Sequence, residues 1–139
     1  MKNAVFFFFT LLFASCSTII DSITPEIVEI IPKDVKIIFT TSAPDSDEIN
    51  VSYKDFEIDE WVYGPREFYY DSNGNSEPII ISFPEYPYNE IAGDAYRKNG
   101  HAYLLKVQIL INDVLVLDNE TVGSEEVWAQ VFFNYDIVD

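Results

Sequence analysis

Four oxygen-bearing side chains, Asp71, Asn73, Asn75 and Glu77, stand at alternate positions around Gly74, a spacing that offers hard ligands to a cation such as Ca²⁺. The run lacks the acidic residue at the twelfth place of a complete calcium loop, and a tight turn uses the same residues for backbone reasons. Acidic clusters recur at Asp45, Asp47 and Glu48 and at Asp55, Glu57, Asp59 and Glu60. Paired carboxylates hydrolyse glycosides when their separation is right, but sequence gives no separation, and neighbouring carboxylates arise by chance in so acidic a chain. His101 is the only histidine and Cys16 the only cysteine. Common zinc sites and nucleophilic triads draw on several such residues, so no catalytic residue and no cofactor is expected.

Binding is better supplied than catalysis. Aromatic residues gather at Trp61, Tyr63, Phe68, Tyr69 and Tyr70 and again at Tyr86 and Tyr88. Neighbours on a strand face opposite sides, so Phe68, Tyr69 and Tyr70 cannot all enter one core. Tyr and Trp present a flat apolar body with a polar tip, suited to proteins and sugars alike. Trp61, Tyr63, Tyr69, Tyr86 and Tyr88 are therefore candidate binding residues, with plain core packing as the alternative.

Cys16 closes a run of another kind. Lys2 is followed by an almost wholly apolar stretch from Ala4 to Ala14, then by Ser15, the layout of an export signal. The stretch falls well short of the ~20 apolar residues a spanning helix needs. Leu12-Phe13-Ala14-Ser15-Cys16 resembles the lipobox of bacterial lipoproteins, with Phe13 where Leu is commonest, and the Phe-rich signal resembles those of the Bacteroidetes group. The resemblance implies removal of residues 1–15 as a signal peptide and acylation of Cys16, palmitate included. It also implies a protein anchored by lipid in the bacterial cell envelope, at the outer membrane. A plain secreted protein cut after Cys16 is the alternative.

The 139 residues less the first 15 leave 124, enough for one domain, and losing Lys2 moves the net charge from −16 to −17. Such a balance excludes nucleic acid, whose phosphates need a basic face. It also excludes adsorption to anionic lipid by charge, so the membrane would be reached through the lipid on Cys16. Basic proteins or divalent cations are the natural counter-charges. With Cys16 acylated, no thiol remains for a disulfide.

The elements that must position these residues read as strands. Residues 16–33 form a tether interrupted by Pro25 and Pro32, with an edge strand expected over Ile27–Ile31. From residue 34 the period is two: Val35, Ile37 and Phe39, then Ile49, Val51 and Tyr53, each set on one face. Gly64-Pro65 reads as punctuation, and Asn73-Gly74 as the turn of a hairpin leading out through Pro78 to Phe83. Tyr103, Leu105, Val107, Ile109 and Ile111 share a face before an Asn112-Asp113 turn and the return from Val114 to Leu117. A last strand puts Val127, Ala129, Val131, Phe133, Tyr135 and Ile137 on one side. About seven strands and no helical period predict an all-β fold, an immunoglobulin-like antiparallel β-sandwich over residues 34–139.

From about residue 49 the order YYDSNGN, IIISFPEYPY and AYLLKVQILINDVLVLDNETVGSEEVWAQVFF resembles the immunoglobulin-like domains of small membrane-attached proteins typified by the mycobacterial MmpS group. The matching positions are Tyr70, Asn73, Gly74, Phe83, Pro84, Ile109, Ile111, Asp113, Val114 and Val116, with Asn-Asp where the group usually has Asp-Gly. The resemblance implies an accessory of an envelope transport or export assembly. The expected function is thus a non-catalytic lipoprotein that binds a protein partner in the envelope. The alternative is a glycan-binding lipoprotein that uses its surface aromatics.

Overall fold

The computed structural model describes residues 31–138. Cys16, the signal peptide, most of the tether and residues 27–30 of the expected edge strand lie outside the described residues. Ile31 precedes the first strand and is exposed.

Eight strands follow: β1 (Lys33–Thr41), β2 (Glu48–Asp55), β3 (Glu60–Glu67), β4 (Ile79–Tyr86), β5 (Glu90–Tyr96), β6 (Leu104–Ile111), β7 (Val114–Val122) and β8 (Gln130–Asp136). They form two antiparallel sheets, ordered β4-β1-β6-β7 and β3-β2-β5-β8, packed as a β-sandwich. The count is eight rather than about seven, and the four-and-four division differs from the four-and-three of an immunoglobulin constant domain.

Alternation explains the packing. Val35, Ile37, Phe39, Ile49, Val51, Leu105, Val107, Ile109, Val131 and Phe133 are all buried and form one cluster between the sheets. Each fully buried side chain of this kind contributes about 1.5–3 kcal/mol relative to exposure. Phe39 and Phe133 meet across the interior with ring centroids 6.2 Å apart.

The connections repeat themselves. β2-β3 and β6-β7 are hairpins, and the strands flanking each hairpin, β1 with β4 and β5 with β8, pair with one another. Replacing β1–β4 by β5–β8 in the same order turns one sheet into the other, so the fold is a twice-used four-strand pattern without a sequence repeat to mark it.

Three local readings change. The Asn73-Gly74 turn is closed by a single bridge between Tyr70 and Ser76, and the strands it joins, β3 and β4, lie in different sheets. It is a crossover between sheets rather than the tip of a hairpin. Gly64-Pro65 does not end a strand; both lie inside β3, an edge strand, where proline's missing N–H is tolerated. Val127 precedes β8 and is exposed instead of joining Val131 and Phe133 inside.

The chain's described start and finish lie at one end of the sandwich. There the Asn112 N–H donates to the Asp34 carbonyl at 2.8 Å and Lys33 Nζ donates to the Val138 carbonyl at 3.3 Å.

Candidate functional site

The outer face of β3-β2-β5-β8 gathers the exposed rings. Its registers place Tyr63 opposite Ser52, Ser52 opposite Asp94 and Asp94 opposite Phe132, one row across all four strands. The neighbouring row is Pro65, Asn50, Tyr96 and Gln130. On the other side Trp61 lies opposite Lys54, and Ala92 opposite Asn134. These residues alternate with buried Ile49, Val51, Ile91, Ala95, Val131 and Phe133, so they point to solvent.

Most of the rings stand on the edge strands, with Tyr96 on β5, and polar Asn50, Ser52 and Asp94 lie on the two central strands, with Gln130 and Asn134 on β8. Trp61 is 53% exposed and Tyr63 83% on β3, against Phe132 at 61% on β8 and Trp128 at 54% just before it. Trp128 stacks on Tyr96 with planes 6° apart and centroids 6.1 Å apart, and Lys98 Nζ sits 5.9 Å from the Tyr96 centroid. Gln130 Nε2 donates to Asp94 Oδ2 at 3.1 Å, and Lys54 is drawn to the carbonyl and carboxylate of Asp59 in the β2-β3 turn. Among the described residues, the side chains of Asn50, Ser52 and Asn134 have no hydrogen-bond partner, which leaves their donors and acceptors for a ligand.

The sequence candidates divide. Trp61 and Tyr63 stand on this face. Tyr69 is exposed but belongs to a separate cleft of about 500 Å³ along the β3-β4 edge, shared with Arg66, Glu67 and Glu77. Tyr86 is buried and its hydroxyl donates to the Glu90 carbonyl at 2.7 Å, while burial pushes its pKa up. Tyr88 is half-buried, packed against Tyr86 at 5.1 Å and Phe56 at 5.7 Å. These two rings pack with Phe56 and Phe83 and together line a separate cleft of about 510 Å³, away from the outer face of β3-β2-β5-β8. Tyr96, Trp128 and Phe132 were not among the sequence candidates. Their signal was present, since placing Ala129, Val131 and Phe133 inward leaves Trp128 and Phe132 outward.

The oxygen-rich loop is self-satisfied. Asp71 Oδ1 accepts from the backbone N–H of Asn73 at 2.8 Å and of Asn75 at 2.9 Å, and Oδ2 accepts from the Asn75 amide at 3.0 Å. The Asn75 side-chain amide, followed by the two backbone N–H groups, holds the Asp71 carboxyl at about 2. Gly74 takes φ +80°, the conformation that makes this turn possible. The Glu77 N–H donates to the Tyr69 carbonyl, and no three Asp, Glu, His or Cys side chains converge as a metal site among the described residues. His101 is exposed, its ring 5.6 Å from that of Tyr103. Asp47 is not part of a solvated acidic turn; it is buried against Arg97.

No family model matches the chain, and neither a curated protein nor a solved structure matches it. Among the described residues no helix is long and apolar enough to cross a membrane.

Proposed function

We propose that this chain is a non-catalytic lipoprotein of the bacterial envelope that binds glycan on the outer face of β3-β2-β5-β8. One observation carries the reading: exposed rings on the edge strands β3 and β8 flank a polar floor whose Asn50 and Ser52 side chains have no partner among the described residues. Protein interfaces concentrate aromatic anchors at the centre and polar groups at the rim. Here the arrangement is inverted. A sugar offers apolar C–H faces to rings and hydroxyls to amides, so the inverted pattern suits it better than a protein surface.

The anchor rests on Cys16 and the lipobox-like residues before it. Two or more acyl chains hold a protein stably at a membrane, whereas one does so only marginally. A fatty-acid probe in expressing cells should label the wild type and not Cys16→Ser; label retained by the variant removes the anchor.

Binding of the full-length protein, purified in detergent, to an array of bacterial, plant and host glycans tests the recognition. Signal lost in Trp128→Ala supports it. An array without binding, together with one envelope protein cross-linked through this face in cells, would replace the glycan by a protein partner of a transport or export assembly.

A further inference from the structure

Resting on the glycan reading, we infer that the face is a two-platform site for a neutral oligosaccharide chain lying across the strands. Trp61 and Tyr63 form one platform on β3. Trp128 stacked on Tyr96, with Phe132 beside them, forms the other along β5 and β8. Three inter-strand steps separate β3 from β8, about 14 Å at the usual strand spacing. No single sugar ring reaches both platforms. A ligand that uses both must be a chain. Tyr63 and Phe132 share a row, whereas Trp61 lies to one side of it and Trp128 beyond the Gln130 row on the other, so a chain that reaches both tryptophans crosses the strands on a diagonal.

The floor fits the middle of such a chain. Ser52 and Asp94 lie in the row between Tyr63 and Phe132, and Asn50 lies in the next row. Amide and hydroxyl groups exchange hydrogen bonds with sugar hydroxyls in either direction, so water lost from the floor is replaced by the ligand. Ala92 keeps the floor low beside Asn134.

Charge sets the class. The chain carries a formal net charge of −16. On this face Lys54 is held by Asp59, and Lys98 lies over Tyr96. Among the described residues no cluster of cations faces the floor to receive carboxylates or sulfates, and the protein's overall field repels polyanions. Neutral pyranosides with continuous C–H faces are the ligands this surface can take.

Calorimetric titration of the full-length protein in detergent would use cello-, laminari-, manno- and xylo-oligosaccharides of two and six units. Hexamers of polygalacturonate and chondroitin sulfate serve as the anionic set. At least one neutral hexamer should bind, and its dimer should bind about tenfold or more weakly, since the second platform acts as a linked contact. Trp61→Ala and Trp128→Ala should each weaken the hexamer by about three- to tenfold. Tyr63→Ser repeats the β3 test at a more exposed ring in case Trp61→Ala perturbs the fold. Equal affinity for dimer and hexamer, dependence on one platform alone, or anionic hexamers binding as tightly overturns the two-platform inference and leaves glycan binding standing. Failure of every oligosaccharide, on the array as well, overturns both.

Discussion

Arg97 and Asp47 meet in a bidentate ion pair, Nε to Oδ1 at 2.7 Å and Nη2 to Oδ2 at 2.6 Å, with both side chains shut off from solvent. Arg97 directly follows β5 and Asp47 directly precedes β2, its neighbour in the same sheet, while the bonds from Arg97 to Thr41 at the end of β1 and Leu104 at the start of β6 reach the other sheet. The remaining guanidinium N–H groups donate to Thr41 Oγ1 at 2.9 Å and to the carbonyls of Tyr103 and Leu104 at 2.9 and 3.2 Å. Thr41 Oγ1 in turn donates to Asp47 Oδ2 at 2.6 Å.

A buried pair of this kind adds little over a well-packed apolar pair, but removing one partner strands the other's charge, at a cost of about 3–5 kcal/mol. Asp47→Asn should therefore lower unfolding free energy by about that amount in urea. Arg97→Lys should approach the same loss, because an ammonium cannot reproduce the planar fork. A loss under about 1 kcal/mol in both variants would show that the pair is dispensable.

Tyr70 sits near this pair with the opposite problem. Its hydroxyl is buried without a partner among the described residues, and burial, followed by the nearby Asp47 and Asp45 charges, raises its pKa. A buried hydroxyl that makes no bond loses hydration without compensation. Tyr70→Phe should leave stability unchanged or raise it by about 1 kcal/mol in the same urea assay. Destabilisation of similar size would mean that the hydroxyl has a partner.

Gly93 is fixed by what crosses it. A Cβ there would lie 2.3 Å from Phe133 Cζ and 2.3 Å from the Ser52 carbonyl oxygen. The Phe133 ring can shift but the β2 backbone cannot readily do so, and overpacking costs about 1–3 kcal/mol even where side chains can adjust. Gly93→Ala should lose at least 2–3 kcal/mol, roughly the upper part of that range, and Phe133→Leu should not restore it. Full rescue by the double variant would place the whole conflict in the ring.

The same glycine shows where the sequence stopped being informative. β1, β2, β6 and β8 were legible because Val35, Ile37 and Phe39, and their counterparts, keep a period of two against one buried face. β5 was not, since Ala92, Gly93, Asp94 and Ala95 have low strand propensity. Gly93 is there to admit a ring from β8, which only the assembled sheet reveals. Turn chemistry was likewise legible at Asn112 and Asp113, which take φ 50° and 64°, the positive values a two-residue hairpin needs. At Asn73-Gly74 the turn was equally readable, but which strands it joined depended on sheet order. The binding face divided in the same way: Trp61 and Tyr63 were visible as candidates, whereas their meeting with Trp128 and Phe132 follows from β3-β2-β5-β8. Arg97 and Asp47 stand 50 residues apart, and no local pattern links them.

Asp71 supplies a pH test of the crossover between β3 and β4. Its carboxyl is lowered from 3.8 to about 2 by the Asn75 amide and by the N–H groups of Asn75 and Asn73, all of which donate to the ionised form. A folded-state value below the unfolded one means that the charged carboxylate stabilises the fold. That contribution is complete above about pH 4 and is lost as pH falls through about 2. Asp59 and Asp118 are also lowered, through Lys54 and Lys106, so the wild type loses stability from several groups over an overlapping range. Comparing Asp71→Ala with the wild type at each pH isolates the one group. The variant should melt below the wild type at pH 6, and the gap should narrow steadily from pH 4 to pH 2. A gap that stays constant over that range would falsify the ionised-carboxylate account and leave only the turn's neutral geometry to explain the loss.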